Sequence, residues 1–455
     1  MVIIGGGFAG LAAAYELRRA SETTDVLLLE SGNRLGGKVT TVAHERGVCE
    51  EGPNAMLSPD GALKELIDLS GVDLLEADDS AKRRYLCHSG RLIEISPNPL
   101  QLYRKGALSL RGTLRMLCEQ FIGPRECKHG NHASAQWGDE SVHLFLKRRF
   151  GAELADRFGA PMVSGIFAGN PKSLSLQSCF PKLASLEEEH GSVIKGLKAI
   201  RSEGRQQPRL YSPRAGMQGI PDGLAKRNDF EVRTDAKVTG LRPDGEKWMV
   251  DTAGQEPIAA DAVILATPAA VTSQLLSSLC SGAAALLRKI SSPHLAVINL
   301  LYEGADTAKA PRAFGALHSQ DGQSELLGVL HESHIFPDRQ PDGSLQLRVM
   351  LGGALRPEMG SYADSDLIEA AARELQRLHG FTAQPLIMGI RRWNSAIPQY
   401  ELGHARLIKD ALAAINDSHM SPLELAGNYL QGVSLSDTAT SGRHAGQKIL
   451  DLLGS

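Results

Sequence analysis

Three glycines near the amino end, Gly5, Gly7 and Gly10, stand at GxGxxG spacing, with Gly6, Phe8 and Ala9 between them. A carboxylate, Glu30, follows 20 residues after Gly10. Glycine at these positions permits a tight turn, close approach of backbone to a pyrophosphate, and close helix–strand packing. An acid at that distance can accept hydrogen bonds from a ribose diol. The chemistry indicated is dinucleotide binding, and the flanking elements are those needed to position it. Val2-Ile3-Ile4 reads as a strand, Leu11–Leu17 continues as a helix of good helix formers, and Val26–Leu29 reads as a second strand ending in Glu30. Strand, glycine turn, helix and strand make a βαβ unit whose helix N-terminus favours phosphate.

Directly after Glu30 come Ser31, Gly32, Asn33, Arg34, Leu35, Gly36, Gly37 and Lys38. A nicotinamide site does not require this RxGG element, and the combination resembles the FAD-binding start of the amine oxidase and phytoene desaturase superfamily. A second glycine cluster, Gly427 to Gly432 followed by Val433, Ser434, Leu435, Ser436 and Asp437, lies near the carboxyl end. By itself it is a strand passing through a turn into a packed helix. In the superfamily it closes over the flavin, with a helix N-terminus able to stabilise negative charge. Both chain ends then serve one cofactor, so the flavin domain is expected to be discontinuous.

The middle of the chain narrows the resemblance. Ser164-Gly165-Ile166-Phe167-Ala168-Gly169-Asn170-Pro171, Gly216-Met217-Gln218-Gly219, Ile397-Pro398-Gln399-Tyr400 and Gly52-Pro53-Asn54 together resemble the oxygen-dependent, FAD-type protoporphyrinogen oxidase family. The resemblance implies an α/β fold: a Rossmann-like discontinuous FAD-binding domain (1–80, 205–285, 393–455), a mixed α+β substrate domain (81–90, 286–392) and an inserted helical membrane-binding domain (91–204). For FAD it implies Gly5 to Gly10, Glu30, Ser31, Arg34, Gly36, Gly37, Lys38, Gly52, Pro53, Asn54, Ala55, Val238 and Gly432 to Leu435. Val238 would meet the adenine through its backbone, though it also reads as an ordinary strand residue. For substrate it implies Arg84 on a propionate, Gly165 at the reacting carbon as the catalytic access position, and Leu327 and Met350 as pocket walls. Arg83 and Arg84 also read as an exposed basic pair, and Leu327 and Met350 as plain core.

The implied reaction is six-electron oxidation of protoporphyrinogen IX to protoporphyrin IX, the penultimate step of haem or chlorophyll synthesis. FAD would be the hydride acceptor, dioxygen the oxidant and hydrogen peroxide the by-product. A coproporphyrinogen III oxidase, another FAD amine oxidase or desaturase, and a non-enzymatic GDI-like binding protein are the alternatives. No cysteine follows Cys280, so FAD is expected to be non-covalent. The resemblance further implies a homodimer on the mitochondrial inner membrane surface, or a plastid or bacterial membrane, beside the next enzyme of the haem pathway. Residues 100–121, leucines mixed with Arg104, Lys105, Arg111 and Arg115, read as that membrane surface or as a helix covering its own core. Asp437 keeps the family's acid near the carboxyl-terminal cluster, but Ser436, Thr438 and Ala439 depart from its Asn-Asp-Cys-Ile pattern.

Composition sets the outer limits. The 455 residues, 42% of them hydrophobic, suffice for two to four domains with real cores, and 47 glycines exceed the usual share. With 49 basic against 52 acidic side chains, the net charge of −3 argues against a nucleic-acid partner. The six cysteines show no CxxC and no metal-ligand spacing, so they read as reduced thiols and no metal site is expected. His129 and His132 in the stretch 126–137 read as a solvated loop rather than a metal pair. No apolar run reaches bilayer-spanning length, and no signal segment is seen at the amino end. The short first strand reads as a start at an internal methionine. Helices are predicted over 141–158, 183–200, 364–379 and 439–453, with a loop around Gly165. Strands are predicted at 295–302, 326–331, 345–351 and 423–428.

Overall fold

The computed structural model describes residues 1–20, 24–123, 138–202, 208–319, 324–341, 343–418 and 422–454. The stretch 126–137, with His129 and His132, lies outside the described residues. The chain divides into two compact units. One comprises Met1–Glu76, Arg209–Ser291 and Ala405–Ser455, and the other Ala77–Pro208 and Ser292–His404.

The first unit is organised by five short parallel strands in the order Glu231–Arg233, Leu27–Leu29, Val2–Ile4, Val263–Leu265 and Leu423–Leu425. The inner strands read as unbroken apolar runs because both faces of the sheet are covered. Ile3, Leu28 and Ile264 enter one core with the helix Phe8–Ala20. Their neighbours Val2, Ile4, Leu27, Leu29, Val263 and Leu265 enter the other, around Trp248 and Val250. Register is flush, Val2 facing both Leu27 and Val263, so the strands end along one edge at Gly5, Glu30, Ala266 and Ala426.

Two helices are brought together at that edge by missing side chains. The last helix, Leu435–Gly454, runs parallel to Phe8–Ala20. A Cβ on Gly442 would collide with the Ala9 carbonyl, and one on Gly446 would lie 3.1 Å from the Ala13 carbonyl. The two N-termini therefore open at the same end. The sequence predicted this helix from 439. It starts four residues earlier because Ser434 and Asp437 cap it reciprocally: the Ser434 hydroxyl donates to Asp437 at 2.6 Å and accepts from the Asp437 amide at 3.1 Å.

The second unit is built on a seven-stranded sheet ordered Leu386–Trp393, Leu295–Tyr302, Leu345–Gly352, Leu326–His331, Gly315–His318, Arg84–His88 and Arg91–Glu94. Only Gly315–His318 and Arg84–His88 run parallel; the other neighbours are antiparallel. One face packs Ile298, Leu300, Val349 and Leu351 against Leu367, Ala371 and Leu375 of the helix Asp364–His379.

Two helical predictions are corrected. The span 141–158 is not one α-helix: Val142–Phe150 stops at Gly151, and a short turn and the π-turn Ala155–Gly159 lead on to a helix Ala160–Phe167. Gly165 therefore lies inside a helix, and the loop begins at Ala168, which adopts φ +50°. The span 183–200 is two helices, Pro181–His190 and Val193–Ser202, parted by Gly191 at φ +67°. The fully buried Arg149 ties this region together, donating to Glu119, to the Ile122 carbonyl at 2.9 Å and to the Gly191 carbonyl at 2.9 Å.

Candidate active site

The carboxyl edge of the parallel sheet collects most of the residues expected to hold the cofactor. The first strand ends at Gly5, whose φ of +110° turns the chain toward the helix. A Cβ on Gly10 would collide with the Gly5 carbonyl, so this crossing accepts only glycine. Gly7 differs: a Cβ there would meet nothing within 4 Å. The open space beside Gly7 adjoins the first turn of the helix, where the amides of Phe8, Ala9 and Gly10 precede the first intrahelical acceptors.

Glu30 closes one side of this recess. Its carboxylate accepts from the Gly6 amide at 2.7 Å, the Gly32 amide at 2.7 Å and the Ser31 hydroxyl at 3.1 Å. The carboxylate is thereby aimed before any ligand arrives, and two oxygens carry more lone pairs than these three bonds use. The Ala236 amide donates to the Glu30 carbonyl at 2.9 Å, which brings the strand Val238–Asp244 alongside. The Val238 side chain is buried in the core.

The RxGG loop is pinned to the glycine turn by a bond from the Gly36 amide to the Gly6 carbonyl, 2.8 Å. Gly36 at φ +107° and Gly37 at φ +59° allow this path. Arg34 holds the loop in shape, donating to the carbonyls of Leu35 (3.0 Å), Gly37 (2.9 Å) and Val39 (2.8 Å) and to Gln218 (2.8 Å). Its guanidinium is thus engaged with protein, and it serves the site as an organiser. Lys38 is largely buried, and desolvation lowers its amine to about 8. A Cβ on Gly52 would strike the Lys38 carbonyl, so Gly52, Pro53, Asn54 and Ala55 run against the same loop. The Asn54 carbonyl accepts from the Ser212 hydroxyl at 2.8 Å. Sequence reasoning missed two supports here: Gln218, which also donates to the Leu35 carbonyl at 3.0 Å, and buried Glu50, which accepts from the Met217 amide at 2.9 Å. Gln218 stood inside a quoted signature, which was the available signal.

At the far end of the same edge, Gly432 takes φ +74°, and Val433, Ser434 and Leu435 form the entry to the last helix. These residues fit a dinucleotide cofactor. There is a backbone-lined space beside Gly7, two helix N-termini face it from one end, and a pre-aimed carboxylate stands at its flank.

The residues expected to meet substrate belong to the second unit, and strand register places Arg84 and Met350 on one sheet face. Arg84 pairs with Gly315 and Leu86 with Leu317. Leu317 in turn faces Gly328, and Gly328 faces Met350. This is the face opposite the helix Asp364–His379. Arg84 is exposed, and its guanidinium lies 5.2 Å from the centroid of the Phe314 ring. Gly165 comes down on the same face: a Cβ there would strike Leu317 Cδ2. One on Gly328 would lie 3.4 Å from Met350 Cε and 3.8 Å from Leu317 Cδ2. Leu327 is buried at a register irregularity between Leu326 and Gly328. Phe314 and Leu317 were missed because the strand Gly315–His318 has only four residues, too few to show a period.

A parallel sheet with a glycine-lined cradle at its carboxyl edge defines the dinucleotide-binding class. Comparison with known proteins narrows this class: the chain belongs to the flavin containing amine oxidoreductase family, whose profile matches residues 8–450. It is an FAD-dependent oxidoreductase. Among relatives, human protoporphyrinogen oxidase is 31% identical over 485 residues, covering 99% of this chain and 98% of the human protein. The chloroplastic protoporphyrinogen oxidase of Oryza sativa subsp. japonica is 30% identical over 480 residues, covering 99% and 88%. Among solved structures, a provisionally named protoporphyrinogen oxidase from Exiguobacterium sp. superposes with a TM-score of 0.85 at 22% identity, covering 100% of this chain and 98% of that one. Cyclohexylamine oxidase from Brevibacterium oxydans shares the fold at a TM-score of 0.72 and 17% identity, covering 100% and 99%.

Proposed function

We propose that this chain oxidises protoporphyrinogen IX to protoporphyrin IX, using dioxygen and releasing hydrogen peroxide, in haem or chlorophyll synthesis. Near-full-length relatives carrying the name protoporphyrinogen oxidase support the reading. The structural observation that carries it is the sheet face joining an exposed guanidinium to an apolar wall. Arg84 is suited to a propionate, because a guanidinium offers two parallel donors to a carboxylate. Phe314 restrains that guanidinium by a cation–π contact and so limits its freedom before binding. Leu317, Met350 and Leu327 would cover the pyrrole rings, Gly328 keeps the wall flat beside them, and Gly165 lets the helix Ala160–Phe167 approach Leu317 closely at its margin. FAD, when bound, supplies the acceptor for successive hydride equivalents and is reoxidised by dioxygen. The protein's share is then binding, orientation and exclusion of water, and no acid or base is assigned.

FAD is held without a covalent bond in this reading, by the cradle residues around Gly7, Glu30 and Gly432. The domains would be those expected from the sequence, with the helical region 91–204 resting on a membrane surface. Support comes from a stripe of exposed side chains: Leu110, Leu114, Leu117 and Phe121 recur at helical spacing, and Phe121 is 80% exposed. Leu100 and Tyr103 are exposed on the preceding helix. Arg104 and Arg111 stay available to anionic headgroups, whereas Arg115 is engaged by the Arg149 carbonyl (2.9 Å) and Lys105 by Glu94 (2.6 Å). Among the described residues no helix is long and apolar enough to cross a membrane. A homodimer at an organellar or bacterial membrane, beside the next enzyme of the pathway, completes the proposal.

The test is aerobic turnover of protoporphyrinogen IX, followed by porphyrin fluorescence with peroxide measured in parallel. Porphyrin formation with stoichiometric peroxide supports the reading. A yellow protein that forms neither defeats it.

A further inference from the structure

Behind the proposed substrate wall, on the opposite face of the same two strands, lies a cluster the reaction does not use. Cys87 and His318 are register partners on the parallel strands Arg84–His88 and Gly315–His318. They alternate with Leu86 and Leu317, so they point away from the Arg84 face and toward the helix Asp364–His379. From that helix Glu374 meets them. A Cys87 sulfur, a His318 ring nitrogen and a Glu374 carboxylate oxygen all lie within 4.8 Å of one another. All three residues are buried, at 3%, 0% and 7% exposure.

We propose that Cys87, His318 and Glu374 form a zinc-type divalent cation site. The donor set is thiolate, imidazole and carboxylate, which suits zinc in particular among divalent ions. Zinc bonds of about 2.0–2.3 Å set tetrahedral ligand atoms about 3.3–3.8 Å apart, so a pair at the 4.8 Å limit must close by roughly 1 Å. His318 Nδ1 and Glu374 Oε1, 3.8 Å apart, already stand near that spacing. Neighbouring groups hold two of the donors in place before any ion arrives. Ser324 lies 2.7 Å from His318 Nδ1, and Arg377 donates to both Glu374 oxygens, at 2.6 and 2.9 Å.

Arg377 also sets the terms of binding. Its guanidinium is the resident cation of the cluster, interacting with Glu374 and Cys87. A metal entering here binds the Cys87 sulfur as thiolate, so the thiol proton passes to solvent, one per ion bound. The second positive charge stays beside Arg377, which must therefore weaken the site. Occupancy would staple the strand that starts at Arg84 to the strand that carries Leu317, reaching the substrate wall from behind.

The experiment uses the full FAD-loaded chain, stripped with chelator and titrated with cobalt(II) chloride alone, then with zinc chloride. The expected result is one equivalent of cobalt with ligand-field bands beyond the flavin absorption, displaced by zinc. Cys87→Ser should abolish the bands with FAD occupancy unchanged. Arg377→Ala, at a part-exposed position, should bind about tenfold more tightly, because it removes a like charge beside the ion. Absence of the bands in both the unmodified chain and the Arg377→Ala chain would overturn the proposal. Bands that survive in both Cys87→Ser and His318→Ala would overturn it equally.

Discussion

The two units build their sites from different material. At the edge of the first sheet the contacts offered to a ligand are main-chain amides, and the decisive residues are those without side chains: Gly5, Gly7, Gly10, Gly36 and Gly37. On the face of the second sheet they are side chains: Arg84, Leu317 and Met350, assembled from strands more than 200 residues apart in the chain. A backbone site is fixed once the fold forms, and changing it means changing the fold. A side-chain site can be altered one contact at a time. Mutations in the first unit should therefore cost stability or cofactor together with activity, and those in the second should cost substrate handling alone.

The largest effect is expected at Gly10. Gly10→Val forces a side chain into the Gly5 carbonyl and should lower the stability of the first unit by roughly 3 kcal/mol, with loss of the yellow colour. Gly7→Ala sharpens the point, since its Cβ meets no protein atom. It should leave the melting temperature of the FAD-free chain unchanged and weaken FAD alone. Next in size is Glu30→Ala, which strands the Gly6 and Gly32 amides. FAD affinity should fall by at least tenfold through loss of a charged acceptor for the ribose, worth about 1.5–3 kcal/mol.

Arg84→Ala should raise KM for the porphyrinogen by roughly ten- to a hundredfold, the scale of a charge-assisted bond worth about 1.5–3 kcal/mol. FAD occupancy and melting temperature should stay as they were. Loss of FAD in this variant would break the proposed division of labour. A smaller, graded effect concerns acid. Burial lowers His379 to about 4 and His331 to about 3, both below the ordinary value of 6.5. His334 and His379 add repulsion at His331, and the Pro311 carbonyl offsets it. Because the folded values are lowered, the unfolded chain takes up protons first. Stability is full above about pH 6.5 and falls below it, by about 1.4 kcal/mol per pH unit for each such histidine. Melting curves from pH 7 to pH 4.5 should show the decline, and His379→Leu should flatten it.

This contrast also explains what could be read in advance. The glycine turn, Glu30 and the RxGG loop were legible because each demands a residue type that little else explains, such as Gly36 at φ +107°. The last helix was legible, but its true start was hidden in a local cap, Ser434 with Asp437. Gly165 was expected in a loop because Ser164-Gly165 is a poor helix-forming pair. Packing overrides propensity there, since the missing side chain lets the helix Ala160–Phe167 settle against Leu317. Phe314 and Leu317 left no trace, because their position depends on which strand pairs with Arg84–His88. Cys87, His318 and Glu374 were invisible for the same reason: their spacing in the chain resembles no metal motif, and only register and helix packing unite them.

The central proposal is that the chain oxidises a porphyrinogen bearing few propionates. Its most direct test is a single anaerobic turnover, mixing the FAD-loaded chain with protoporphyrinogen IX and, separately, with coproporphyrinogen III while following flavin absorbance. The account expects rapid bleaching by protoporphyrinogen IX and slower bleaching by coproporphyrinogen III. No bleaching by protoporphyrinogen IX, or faster bleaching by the coproporphyrinogen, would contradict it.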